Sequence, residues 1–388
     1  MLSRPPLSLY IHMPWCEKKC PYCDFNSYKL PSIEGLYQDY INALIVDLKE
    51  QIALLNKHNI DLKRTHLIGI YIGGGTPSLC PTKFYEPLFD FIYKNFSIDK
   101  DTEITAEVNP KSSIESTLVG FKTLGVNRIS MGVQSLNDKS LKLLGRIHNK
   151  QMAIDAITLV KKHFNNFNLD LMHSLPFQSV DDALDDINIL LNFNPPHLSW
   201  YELTLEENTQ FGQNPPECLP NDETNQLINY EGNKLLLSKG YTHYEVSAYA
   251  KENMKAKHNS NYWHYGDYLA IGAGAHSKIT LENDILRTFR IANPKEYIKN
   301  ILSNLPYKEE RIVPKNELPF EFFLNRFRIF EEFNLKEYEM FTGLSLDTVL
   351  PKLNSFANEG LLIISKDNTL KLTSKGELFI NHMLEELL

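Results

Sequence analysis

Cys16, Cys20 and Cys23 lie in the run His12-Met-Pro-Trp-Cys-Glu-Lys-Lys-Cys-Pro-Tyr-Cys-Asp-Phe25, three thiols within eight residues. Thiolates at this spacing, on a loop after a short apolar strand, can hold three corners of a cubic iron–sulfur cluster. The fourth iron then has no protein ligand and can be chelated by a small molecule. Zinc competes for such a set, yet structural zinc takes four protein ligands, and no second Cys or Cys/His pair lies close by. Cys20-Pro-Tyr-Cys23 alone fits a redox pair, but a thioredoxin-like motif has no need of Cys16. Five cysteines in 388 residues make no disulfide framework. Cys80 and Cys218 are isolated and read as small buried hydrophobes.

Other polar residues recur just after apolar runs. Gly73-Gly-Gly-Thr-Pro77 offers a backbone that can approach a ligand without side-chain interference, leaving amides and carbonyls to bind it. Glu107 precedes Val-Asn-Pro, Gln134 ends Gly132-Val-Gln, Arg146 sits in Leu144-Gly-Arg-Ile-His148, and Asp170 opens Asp170-Leu-Met-His173. Singly, each reads as a solvated or structural group. Together they suit a zwitterionic, ribose-bearing ligand, with carboxylates for an ammonium and hydroxyls and an Arg for a carboxylate.

The elements that must carry them are short β-rich runs alternating with helical patterns. Strands are expected at 7–12, 67–72, 103–108, 128–132, 169–172 and 198–203, and helices at 33–55, 138–144, 152–164 and 180–191. Repeated βα units imply a parallel sheet, open or rolled into a barrel, with ligands at the carboxyl ends of the strands. The composition, 43% hydrophobic and 23% charged, is ordinary for a globular chain long enough for a second domain. After a Pro-containing stretch at 306–319, helices at 320–333, 335–341 and 346–358 and a hairpin around Asp367-Asn368 read as a winged-helix-like tail. Forty basic against 48 acidic residues give a net charge of −8, which disfavours nucleic-acid binding. Residues 308–388 carry 10 basic and 14 acidic residues, or −4, so the tail is expected as an interaction or lid element, not a DNA reader. With no signal-like apolar core and no membrane-length apolar segment, a cytoplasmic location is expected.

The Cys-x3-Cys-x2-Cys loop followed by Gly-Gly-Gly-Thr-Pro resembles the radical S-adenosylmethionine (SAM) superfamily. Ser8-Leu-Tyr-Ile-His-Met-Pro-Trp-Cys16, Glu107-Val-Asn-Pro, Arg128-Ile-Ser-Met-Gly-Val-Gln-Ser135 and Leu144-Gly-Arg-Ile-His148 extend that resemblance to the HemN/HemW branch over nearly the whole chain. The resemblance implies an α/β fold with a partial (β/α)6 barrel over 1–235, an elaboration over 236–305 and a helical, winged-helix-like domain over 306–388. It implies a [4Fe–4S] cluster on Cys16, Cys20 and Cys23, with SAM on the open iron. Tyr10, Tyr22, Gly74, Gly75, Thr76, Glu107, Gln134, Arg146 and Asp170 match the SAM-contacting positions.

Within this branch, coproporphyrinogen III dehydrogenases continue the loop with a further cysteine where this chain has Phe25, and carry a segment ahead of the first strand. Both differences point to the haem-chaperone side. His258-Asn-Ser-Asn-Tyr262 matches the His-Asn-x-x-Tyr motif associated there with haem binding, while as bare sequence it is also turn chemistry. The implied function is a haem chaperone that passes haem to acceptor proteins and draws on an electron donor, both of unnamed identity. The alternative is oxygen-independent coproporphyrinogen III dehydrogenation in porphyrin biosynthesis. Ile271-Gly-Ala-Gly-Ala-His276 also resembles the family and is expected near the cofactor pocket. His173, Ser174 and Phe177 stand where relatives show a Tyr and two glycines, so the loop beside the SAM pocket is expected to be reshaped.

Overall fold

The structure, a computed structural model, describes residues 2–62 and 65–388. Six strands, β1 (Leu7–Met13), β2 (Leu67–Gly74), β3 (Glu103–Val108), β4 (Arg128–Gln134), β5 (Asn166–His173) and β6 (His197–Glu202), pair in parallel in sequence order. Helices α1 (Leu36–Lys57), α2 (Glu86–Asn95), α3 (Glu115–Thr123), α4 (Asp138–Leu143), α5 (Lys150–His163) and α6 (Val180–Leu191) alternate with them. This is the expected α/β partial barrel.

Local chemistry explains the boundaries. At α6, Ser179 Oγ accepts from the Asp182 amide at 3.2 Å and the Asp182 carboxylate accepts from the Ser179 amide at 3.0 Å. This capping box contributes about 1 kcal/mol. Ala183, Ile187 and Leu190 follow at helical spacing and bury one face.

The sheet continues beyond β6. Strands β7 (Thr242–Glu245) and β8 (Ala248–Ala250) extend that edge antiparallel. After α7 (Asp222–Ser238) and α8 (Lys257–Trp263), β9 (Asp267–Ile271) returns to lie parallel to β1. Strands β10 (His276–Thr280), β11 (Ile285–Arg290) and β12 (Lys308–Ile312) complete twelve strands. The stretch 236–305 is therefore hydrogen-bonded into the main sheet at both edges, and β12, beyond the expected boundary at 305, belongs to the same sheet. Asp47 of α1 and Arg290 of β11, both fully buried, pair at 3.2 Å. Asp47 also accepts from the Gly272 amide at 3.2 Å and from the Tyr297 hydroxyl at 2.8 Å, which offsets the desolvation of the pair.

The tail has its own core, built on Phe322, Phe323, Phe327, Tyr338, Leu353 and Phe356. Helices at Leu318–Arg326, Lys336–Thr342 and Leu350–Asn358 pack with a three-stranded sheet of Phe333–Asn334, Leu362–Ile364 and Thr369–Leu372. Asn368 turns the hairpin at φ 64°, a conformation Asn tolerates. Among the described residues no helix is long and apolar enough to cross a membrane.

Candidate functional site

One cavity of about 1140 Å³ occupies the barrel. Cys16, Cys20, Tyr22, Cys23, Gly74, Gly75, Thr76, Glu107, Gln134, Arg146 and Asp170 all line it. Tyr10, His258 and Tyr262 do not.

The cysteine loop is pinned at both ends. Trp15–Cys16 pairs with Tyr28–Lys29, and the Leu30 amide donates to the Cys16 carbonyl at 2.8 Å. The Cys23 amide donates to the Cys20 carbonyl at 3.2 Å, closing the turn. The thiols are free and half-buried, and burial pushes those of Cys16 and Cys23 up, with the neighbouring thiols adding to the effect. Among the described residues no three ligands converge on one ion position. A cuboidal cluster needs no such convergence, because each thiolate bonds a different iron, so the donor set fits a cluster better than a mononuclear metal.

The glycine loop packs directly under the cysteine loop. The Gly75 amide donates to the Met13 carbonyl at 2.7 Å, and the Thr76 amide to the Trp15 carbonyl at 2.8 Å. A Cβ at Gly75 would meet the Trp15 carbonyl oxygen at 2.6 Å, and Gly74 has φ 109°, so both positions require glycine.

Glu107 ends β3 inside the cavity. Its Oε1 accepts from the Tyr71 hydroxyl at 2.8 Å and its Oε2 from the Gly74 amide at 3.1 Å. Burial nevertheless raises its pKa to about 7, and Asp170 adds repulsion. A buried carboxylate in this state is set to receive a cation. Asp170 is also raised by burial, while its Oδ1 accepts from Asn168 at 2.6 Å. Gln134 is aimed by a register shift between β4 and β5 at Gly132/Gln134, where Gln134 takes φ 71°. The Tyr201 hydroxyl donates to its Oε1 at 2.7 Å. Arg146 donates to the Gly132 carbonyl at 2.7 Å and reaches the Tyr22 hydroxyl at 3.5 Å and the Cys20 sulfur at 3.8 Å. Two carboxylates, an amide and a guanidinium therefore face one space beside three thiols. That arrangement can hold an amino-acid zwitterion and a polyhydroxylated group against a metal cluster.

Tyr71, Ser130, Asn168 and Tyr201 also line the cavity and were not singled out in the sequence. Tyr71, Ser130 and Asn168 stand two residues before Gly73, Gly132 and Asp170, so the period-two rule for strands would have found them. The Gly272–Gly274 turn lies behind the cysteine loop and outside the cavity lining, where the Ala273 carbonyl accepts from Asn26 Nδ2 at 2.9 Å. Cys80 is buried as expected. Cys218 is exposed, contrary to expectation: it sits at φ 56° in the loop before α7, where its carbonyl accepts from the Phe177 amide at 2.8 Å. Ser174 and Phe177 take φ 59° and 64°, the left-handed backbone conformation that glycine adopts without strain.

Residues 10–190 match the radical SAM superfamily description and residues 313–379 the HemN C-terminal domain. The chain is 44% identical to a protein of Haemophilus influenzae named "Heme chaperone HemW", over 99% of this chain and 98% of that one. It is 43% identical to the Escherichia coli protein of the same name, over 99% of each. The solved structure of coproporphyrinogen III oxidase (HemN) from Escherichia coli shares the fold at TM-score 0.81 and 20% identity, covering 99% of this chain and 90% of that one.

Proposed function

The chain belongs to the HemW family of radical SAM proteins, and from that membership we propose that it is a haem chaperone: it binds haem and a SAM-ligated [4Fe–4S] cluster and transfers haem to acceptor proteins. The observation that carries this reading is the 44% identity along the full length of a HemW protein. Coproporphyrinogen III dehydrogenation is not favoured. Phe25 stands where dehydrogenases place a further cysteine, and it is exposed, so no fourth thiol extends the loop.

Cys16, Cys20 and Cys23 hold the cluster in this reading. A [4Fe–4S] cluster with SAM on its open iron supplies one-electron chemistry at the sulfonium. The chain's own residues bind and orient. Glu107, anchored by Tyr71 and Gly74, receives the methionyl ammonium. Arg146 faces the carboxylate, and Asp170 the ribose hydroxyls, with Gln134 between them. Tyr22 and the Gly74–Thr76 segment close the cysteine side.

The acceptor is a protein that takes up haem, the electron donor is a one-electron reductant, and the site of action is the cytoplasm. The test is anaerobic reconstitution of the full chain, titration with haem, and transfer to a haem-free acceptor followed by absorbance. Haem bound and then delivered is the expected result. Formation of protoporphyrinogen IX from coproporphyrinogen III, with SAM and reductant, would overturn a pure chaperone role.

A further inference from the structure

Helix α8 turns Asn259 and Trp263 to the cavity and buries His258 behind the cavity residue Tyr71, outside the lining itself. The residue is 2% exposed. Its ring stacks on Tyr71, with centroids 5.0 Å apart and planes at 21°, and on Tyr10 at 6.1 Å and 22°. Tyr262, one turn on, closes the slot edge-on at 4.8 Å. Gly69 of β2 packs against the histidine: a Cβ there would stand 3.5 Å from the His258 Cβ, at ordinary contact distance. Neither ring nitrogen has a hydrogen-bond partner among the described residues, and burial, with Arg128 nearby, lowers the pKa to about 3. The imidazole is therefore a neutral plane held by aromatic faces.

Two hydrogen-bonded arms leave this slot. Tyr71 donates to Glu107 Oε1 at 2.8 Å, and Glu107 in turn accepts from the Gly74 amide. The Tyr10 hydroxyl is hydrogen-bonded to His12 Nδ1 at 3.0 Å, and His12 Nε2 to the Asn26 carbonyl at 2.8 Å, three residues past Cys23. One arm ends at the carboxylate of the cavity and the other in the cysteine loop.

We propose that His258 is a positioning residue for the SAM and cluster site, a planar wedge that fixes Tyr71 and Tyr10, and not the axial ligand of haem iron. This rests on the SAM-site reading above. Removing the wedge frees the Tyr71 ring to rotate, and Glu107 loses its hydroxyl donor. Removing only the ring nitrogens, which bond nothing, leaves both arms in place.

The test compares full-length wild type, His258→Ala and His258→Phe after anaerobic reconstitution. SAM affinity is measured by equilibrium dialysis, the reduced cluster by its EPR change on SAM addition, and haem by its Soret band. His258→Ala should weaken SAM binding roughly 10- to 100-fold, the range for groups that orient a ligand-holding residue, and blunt the EPR change. His258→Phe should restore both, and both variants should keep the wild-type Soret band. Loss of that band in His258→Phe, or wild-type SAM affinity in His258→Ala, overturns the assignment. Should His258→Ala fail to fold, His258→Phe decides alone, since an axial ligand cannot be replaced by a phenyl ring. A wild type without any SAM-dependent EPR change overturns the SAM-site reading itself and this assignment with it; a wild type that binds SAM but no haem overturns the chaperone reading alone.

Discussion

Arg146 places a guanidinium nitrogen 3.8 Å from the sulfur of Cys20 while its other arm donates to the Gly132 carbonyl at 2.7 Å. The cation thus lies between a cluster ligand and the space for the SAM carboxylate. Arg146→Ala should weaken SAM binding by at least roughly tenfold, about 1.4 kcal/mol, because a buried charge partner is lost. It should also lower the cluster's reduction potential, since a nearby cation favours the more negative reduced state. Arg146→Lys restores charge but not the forked geometry, so it should recover the potential better than the affinity. Potentiometry and dialysis on the reconstituted variants check both; equal recovery of the two by Lys would contradict the forked role.

Glu107 gives SAM binding a pH dependence. Its pKa is raised to about 7 by burial, and the site must present a carboxylate to an ammonium. The binding-competent form is the ionised one, so affinity should fall toward tenfold per unit as the pH drops below about 7. Glu107→Gln should bind weakly at every pH with a flat profile. Dialysis between pH 5.5 and 8.5 (approximately) reads this slope; a flat wild-type profile would show that Glu107 does not meet the ammonium.

Much of this site is legible in one dimension because strands end where ligands bind, and residues at strand ends are separated by whole βα units. Glu107, Gln134 and Asp170 could be picked out for that reason. What the sequence hides is direction. Leu36, not Ile33, starts α1, because Gly35 at φ 75° cannot continue a right-handed helix. β5 begins at Asn166, three residues earlier than its apolar run, because Asn166 and Asn168 pair with Arg128 and Ser130 of β4. Those inward polar positions break the apolar pattern that reveals a strand. His258 is the clearest case. Its motif is visible in the sequence, but its burial depends on α8 crossing beneath Gly69, a contact between segments nearly two hundred residues apart.

The cysteines separate by position. Ser substitution at Cys16, Cys20 or Cys23 should abolish stable cluster incorporation, because each thiol is the ligand to a different iron. Cys218→Ser should leave iron and sulfide content at the wild-type level, since that thiol is exposed and lies outside the cavity lining. Cys80→Ser should retain the cluster as well but lose stability, because a more strongly hydrated hydroxyl replaces a buried thiol that contacts the Pro81 carbonyl at 3.8 Å and the Tyr85 hydroxyl. Iron and sulfide analysis after reconstitution, with thermal unfolding for Cys80→Ser, tests the set. Cluster loss in Cys218→Ser would mean that the loop before α7 takes part in ligation.

The loop after β5 carries measurable strain. Phe177 holds φ 64° with its side chain 64% exposed, and Ser174 holds φ 59° while buried. A left-handed conformation costs a residue with a Cβ about 1–2 kcal/mol, whereas glycine gives back roughly 0.5–1 kcal/mol in unfolded-state entropy. Phe177→Gly gives up little burial, so it should stabilise the chain by about 0.5–1 kcal/mol. Ser174→Gly relieves similar strain but removes the 3.0 Å hydrogen bond between Ser174 Oγ and His173 Nδ1, about 1 kcal/mol, and should be close to neutral. Urea denaturation of the two variants beside wild type reads the difference. A destabilised Phe177→Gly would mean that the exposed ring makes contacts worth more than the strain it imposes.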